Sequence, residues 1–167
     1  SDPHTAHSQT GYVFTCGGTA ISWKSTKQTT IATSSNHSKI IALHEASREC
    51  VWLRSVVHHI QNSCALSPVA NLPTIIYEDN AACIAQIKGG YIKSDRTKHI
   101  PPKYFMCTHE LEKSREVEIQ QGKSSENVAD LFTKSLPTKI FQKMVYNIGM
   151  RQTTRCERIR GSIVHES

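Results

Sequence analysis

Two aspartates stand where chemistry could be done. Asp79 follows the apolar run Thr74, Ile75, Ile76 and Tyr77, and Asp130 opens a helical pattern through Leu131 and Phe132 downstream of a second strand-like run. In open α/β sheets ligands gather beyond the carboxyl ends of strands, which is where Asp79 falls. Carboxylates so placed suit a hard divalent cation such as Mg²⁺, which takes carboxylate and phosphate oxygens together. The plainer alternative makes Asp79 a strand-end turn residue and Asp130 a first-turn acid favoured by the helix dipole. On residues alone, that alternative is favoured.

Other metal chemistry has less support. The six cysteines (Cys16, Cys50, Cys64, Cys83, Cys107, Cys156) include no C-x-x-C pair, so free buried thiols are expected. His4 with His7, and His58 with His59, lack cysteine or carboxylate partners at ligand spacing and read as solvated. A basic stretch of Lys93, Arg96, Lys98, His99 and Lys103 could grip phosphates or could be a solvated loop face, and the formal charge of +6 favours an anionic partner such as nucleic acid.

These residues need a scaffold, and 167 residues suffice for one core. Residues 11–16 and 20–23, separated by Gly17 and Gly18, predict a hairpin. Ser34, Ser35 or Asn36 can cap a helix ending near His59 or Asn62. Its apolar stripe runs Ile40, Leu43, Ala46, Cys50, Leu53, Val57 and Ile60. Residues 74–77 predict a strand buried on both faces, Ala81 to Lys88 a helix stopped by Gly89 and Gly90, Lys103 to Lys113 a helix, and Val117 to Gln121 a strand. Ser124 or Ser125 would cap a last helix through Phe132. The order β-β-α-β-α-α-β-α predicts a mixed α/β domain over residues 11–150, with a loop remnant before it and a basic, disordered tail over 151–167. Neither a membrane-spanning run nor a signal pattern is seen, and a first residue Ser1 suggests a piece of something longer.

Several strings, in order, resemble the ribonuclease H domain of copia-type LTR-retrotransposon Pol polyproteins. They are Gly11-Tyr-Val-Phe, Ala20-Ile-Ser-Trp-Lys-Ser, Lys27-Gln-Thr-Thr, Ser34-Ser35, Ile41-Ala-Leu, Val51-Trp-Leu-Arg, Asp79-Asn, Arg96-Thr-Lys-His-Ile and Val128-Ala-Asp-Leu-Phe-Thr-Lys. The resemblance spans residues 8 to about 150. It implies a ribonuclease H-like mixed sheet flanked by helices, cutting the RNA strand of an RNA–DNA hybrid. Four acids would hold two Mg²⁺ (or Mn²⁺) ions, one activating water and one stabilising the leaving oxygen. It further implies a reverse transcriptase domain in the same polyprotein as partner and an intracellular setting, in a cytoplasmic particle or the nucleus. Asp79 and Asp130 match two of the acids, which reverses the plainer reading of both.

The chain departs from the pattern at the other two positions. The family's first aspartate lies on a central first strand upstream of a segment resembling Asp2-Pro3, so that strand is expected to be missing and Asp2 to be a loop residue. The family's glutamate falls on Lys39, two residues before Ile41-Ala-Leu and facing inward on the helix. An ammonium there removes a ligand and repels a divalent ion by roughly 8 kcal/mol at about 4 Å and an effective dielectric near 20. The expectations are a gap or an improvised strand between the hairpin and the strand ending at Asp79, convergence of Asp79 and Asp130, and Lys39 near one of them. Cleavage should be impaired, with weakened metal binding. A non-catalytic nucleic-acid-binding remnant and a decayed element fragment are the alternatives.

Overall fold

A computed structural model describes residues 7–66, 72–90, 97–98 and 100–151. Asp2, His4, Lys93, Arg96, His99, Cys156 and residues 152–167 of the expected tail lie outside them. The chain is a mixed α/β structure with two small sheets flanked by helices. Strands β1 (Gln9–Cys16) and β2 (Thr19–Lys27) form an antiparallel hairpin. The turn uses Gly17 and Gly18 at φ 58° and 76°, which glycine adopts without steric cost. β1 takes in Gln9 and Thr10, which the sequence reading placed before the domain: Thr10 is buried and accepts a hydrogen bond from Gln28 Nε2 at 3.0 Å.

Helix α1 (Ser35–Ser63) starts where Ser34 Oγ accepts the His37 N–H at 3.1 Å. Strand β3 (Thr74–Glu78) leads into α2 (Ala81–Lys88), capped by Asn80, whose Oδ1 accepts from Ala82 N and Cys83 N. Then come α3 (Lys103–Lys113) and β4 (Val117–Gln121), which pairs in parallel with β3, Ile76 opposite Ile119. The hairpin and the parallel pair remain separate sheets, and among the described residues no strand joins them. This agrees with the expected gap and is consistent with a ribonuclease H-like mixed sheet lacking its central strand. No described helix is long and apolar enough to cross a membrane.

One core serves both sheets. Ile40, Leu43 and Cys50 of α1 cluster with Cys83, Ile87, Ile100, Phe105, Val117 and Ile119, and Phe14 of the hairpin and Ile76 of β3 pack against the same cluster. Three expectations need correction. The helical stripe is buried only through Cys50, whereas Val57 and Ile60 are 42% and 48% exposed because the last turns of α1 run past the core. β3 is covered on one face only, leaving Ile75 and Tyr77 exposed. The segment read as a last helix is two short 3-10 turns, Ser124–Glu126 and Val128–Phe132, the second capped by Asn127. The last helix among the described residues, α4 (Thr138–Asn147), lies beyond it and buries Met144.

Truncating Ile40 to alanine should cost about 2–5 kcal/mol in urea unfolding, whereas Ile60→Ala should stay within about 0.5 kcal/mol. Equal costs would show that the whole stripe is packed.

Candidate functional site: an acid pair held by a lysine

β3 ends in two consecutive acids, and strand alternation sends them different ways. Glu78 continues the inward face of Thr74 and Ile76, while Asp79 begins the turn toward Asn80. Opposite them, in the first turns of α1, Lys39 points inward. Its Nζ donates to Glu78 Oε1 at 2.9 Å and to Asp79 Oδ1. The Glu78 Oε1 atom also accepts the Asn80 N–H at 2.9 Å, so the residue that caps α2 helps fix the acid before it. Lys39 thus lies against Asp79, as its helical phase predicts.

The three charges perturb one another in a consistent direction. Burial alone would raise Asp79, but hydrogen bonds from Lys39, with help from Glu78 and Ser124, hold it down to about 2. Burial raises Glu78 above the ordinary carboxylate value and outweighs Lys39. Lys39 itself is raised: burial opposes its charge, and the bonds to Asp79 and Glu78 overcome that. Glu78 therefore bears the desolvation and Asp79 carries the firm negative charge.

Asp130 occupies the second 3-10 turn and pairs with Lys134 Nζ at 2.9 Å, one helical turn on. Ser124 belongs to the surroundings of both aspartates: it helps hold Asp79 down, and with Asp130, Lys143 and Asn147 it lines an open hollow of about 600 Å³. Each aspartate is thus matched by an ammonium of its own. Among the described residues no three His, Cys, Asp or Glu side chains are arranged to hold a metal ion. With Lys39 across Glu78 and Asp79, the residues present do not fit a two-metal centre.

Of the basic candidates, Lys98 is exposed, between buried Thr97 and buried Ile100. Lys103 is exposed on α3, its Nζ 5.1 Å from the Tyr104 ring centroid, and that ring meets His44 edge-on. His58 and His59 are exposed. Of the described cysteines, all free, Cys50 and Cys83 are buried while Cys16 and Cys64 are exposed, so the thiols are only partly the buried set expected. Sequence reasoning passed over Glu78 and Ser124 as site residues. The signal for Glu78 was available: an acid continuing the inward face of an apolar strand needs a buried cation.

Comparison with known proteins gives a long, partial match. Over 143 residues the chain is 29% identical to the Retrovirus-related Pol polyprotein from transposon TNT 1-94 of Nicotiana tabacum, covering 86% of this chain and 10% of that protein. A retrotransposon Pol origin is what this match supports. Over 52 residues the chain is 44% identical to Secreted RxLR effector protein 161 of Plasmopara viticola, covering 31% of this chain and 37% of that protein. The chain therefore spans about a tenth of the first relative's length and little more than a third of the second's. No family model and no solved structure matches.

The charge cluster predicts an acid limb. A group held at about 2 when folded, against 3.8 when free, contributes stability that is present above 3.8 and lost as pH falls toward 2. For Asp79 this amounts to on the order of 2 kcal/mol. Glu78, raised on folding, works in the opposite sense: its contribution is present below its ordinary value and lost as pH rises through the folded one. Chemical unfolding between pH 5 and about 2 should show the loss, and Asp79→Asn should flatten it. An unchanged slope in that variant would place the acid sensitivity elsewhere.

Proposed function

We propose that this chain is the ribonuclease H segment of a copia-type retrotransposon Pol polyprotein, one that holds RNA–DNA hybrid and cleaves it poorly. The observation that carries this reading is Lys39, at the position where the resemblance calls for a glutamate, bonded to Glu78 and to Asp79, the acid that the resemblance assigns to the site. The Pol similarity supplies the context, and a reverse transcriptase domain of the same polyprotein is the natural neighbour. The metals of that chemistry, Mg²⁺ or Mn²⁺, would meet an ammonium instead of a third carboxylate. A nucleic-acid-binding remnant without cleavage is favoured by the same contact.

A hybrid is A-form-like and is held largely through its backbone and 2′-hydroxyls, so basic groups on α3 and in the preceding segment are the ones to grip it. Lys98 and Lys103 are exposed there, and Lys93, Arg96 and His99 share the segment in sequence. The test is fluorescence anisotropy with a labelled hybrid, in parallel with a cleavage assay in Mg²⁺ and in Mn²⁺. Binding should weaken steadily with salt. Lys98→Ala with Lys103→Ala should lower the log–log salt slope by about one to two. Cleavage should be negligible. Efficient Mg²⁺-dependent cutting would overturn the impaired reading, and no preference for hybrid over a non-nucleic polyanion would overturn the nucleic-acid one.

A further inference from the structure

Two ties to α1 bracket β3. At its carboxyl end stands the Lys39 bridge, and at its amino end Arg54 Nη1 donates to Leu72 O at 2.9 Å and to Thr74 Oγ1 at 3.2 Å. Lys39 and Arg54 are about 22 Å apart at the rise of an α-helix, and a five-residue strand spans about 17 Å. The strand therefore runs antiparallel along the helix and is fastened near both ends. Each fastening is a basic side chain of α1 reaching acceptors on or beside β3.

From this geometry we infer that Lys39 is the resident cation of the acid pair. Its ammonium closes Glu78 and Asp79 to divalent ions and fastens the start of α1 to the end of β3. The inference deepens the non-cleaving part of the reading above, yet it concerns ions alone and does not need a hybrid. Both carboxylates are mostly buried, each only 13% exposed in its side chain, and both accept from the same Nζ. A divalent ion seated between them would have to displace an ammonium tethered beside them by its own main chain. That tether supplies the competing cation at a high effective concentration, independent of the ions in solution.

The mode of fastening also fits a cation better than a neutral donor. Glu78 is drawn inward along the apolar face of β3, and its Oε1 already takes the Asn80 N–H. Ser124, which begins the 3-10 turn after β4, is near enough to Asp79 to help hold its carboxyl down. One ammonium thus joins the first turns of α1 to the β3–α2 junction. Removing its charge leaves two carboxylates with a partly buried negative field and no counter-ion.

The full chain can be tested with Mn²⁺ as the probe, reading free aquo-ion by electron paramagnetic resonance and stability by thermal unfolding. The wild-type chain should leave millimolar Mn²⁺ free, with the same Tm in Mn²⁺ and in chelator. Lys39→Gln should lower Tm by roughly 4–8 °C in chelator and take up some Mn²⁺. Lys39→Glu should take up more, with Tm recovering on Mn²⁺ addition, and Asp79→Asn in that background should abolish the uptake. Uptake by the wild-type chain at this site, removed by Asp79→Asn, would overturn the inference. So would an unchanged Tm in Lys39→Gln, which remains decisive if Lys39→Glu does not fold. A folded Lys39→Glu that binds no more Mn²⁺ than wild type would also overturn it. Hybrid binding can fail without moving any of these readouts, so the two proposals fail separately.

Discussion

Everything in this molecule depends on α1 serving as a shared wall for two sheets that do not pair with each other. A two-stranded sheet is marginal in water, so neither the hairpin nor the β3–β4 pair could stand without packing against a helix. The buried residues His37, Ile40, Ile41, Leu43, Ala46, Ser47 and Cys50 all lie in the first sixteen positions of α1. The two seams they support differ in kind. The parallel pair joins through apolar side chains, Ile76, Val117 and Ile119 sharing one cluster with Ile40 and Leu43 of α1, Ile87 of α2 and Phe105 of α3. The hairpin adds a polar seam, in which Ser22 donates to Glu49 at 2.6 Å, Lys24 to Glu45 at 2.7 Å, and Gln28 to Ser38 O at 2.8 Å. Burial beside those two glutamates raises Tyr12 to about 12. The hairpin's attachment is thus partly electrostatic, and salt acts on it more than on the parallel pair.

Local chemistry made most of the elements legible. Gly17-Gly18 marks the hairpin turn, Ser34 caps α1, and Gly89 ends α2, because each supplies something the backbone needs at that point: a positive φ, an acceptor for an orphan N–H, or an end. Tertiary coverage was not legible in the same way. Periodicity says which residues of α1 share a face, but not how far the core extends beneath it, so Val57 and Ile60 read as buried. Likewise Ile75 and Tyr77 read as core because an apolar run looks the same whether one face or both are covered. α4 was passed over although Ile140, Phe141, Met144 and Val145 recur at helical spacing behind Pro137, a common helix start.

The site was legible in its charges more than in its partners. Lys39 could be placed inward from phase alone, and Asp79 at the strand end from the run before it. What phase could not provide was the second acceptor. Glu78 precedes Asp79 and was absorbed into the strand, although its inward face is what lets one ammonium serve two carboxylates. Asp130 found a local partner in Lys134, four residues on, which is the near-neighbour spacing of a helical turn. A partner so close in sequence competes with any distant one, because little chain entropy is spent in forming it.

That competition also explains why a single lysine can redirect such a site. Ion pairing in a half-buried place is governed by how completely each charge is neutralised and how much order must be imposed to do it. A divalent ion brings more charge, but it is drawn from dilute solution and must shed water to accept two or three oxygens. An ammonium brings one charge, already positioned by the first turns of α1, and three donors, of which Glu78 and Asp79 take two. Burial raises Glu78 against the pull of Lys39, whereas the bond from Lys39 holds Asp79 down, so the ammonium is matched chiefly by Asp79. The acid pair is therefore held by a cation of its own chain, bonded to Glu78 and to Asp79 alike.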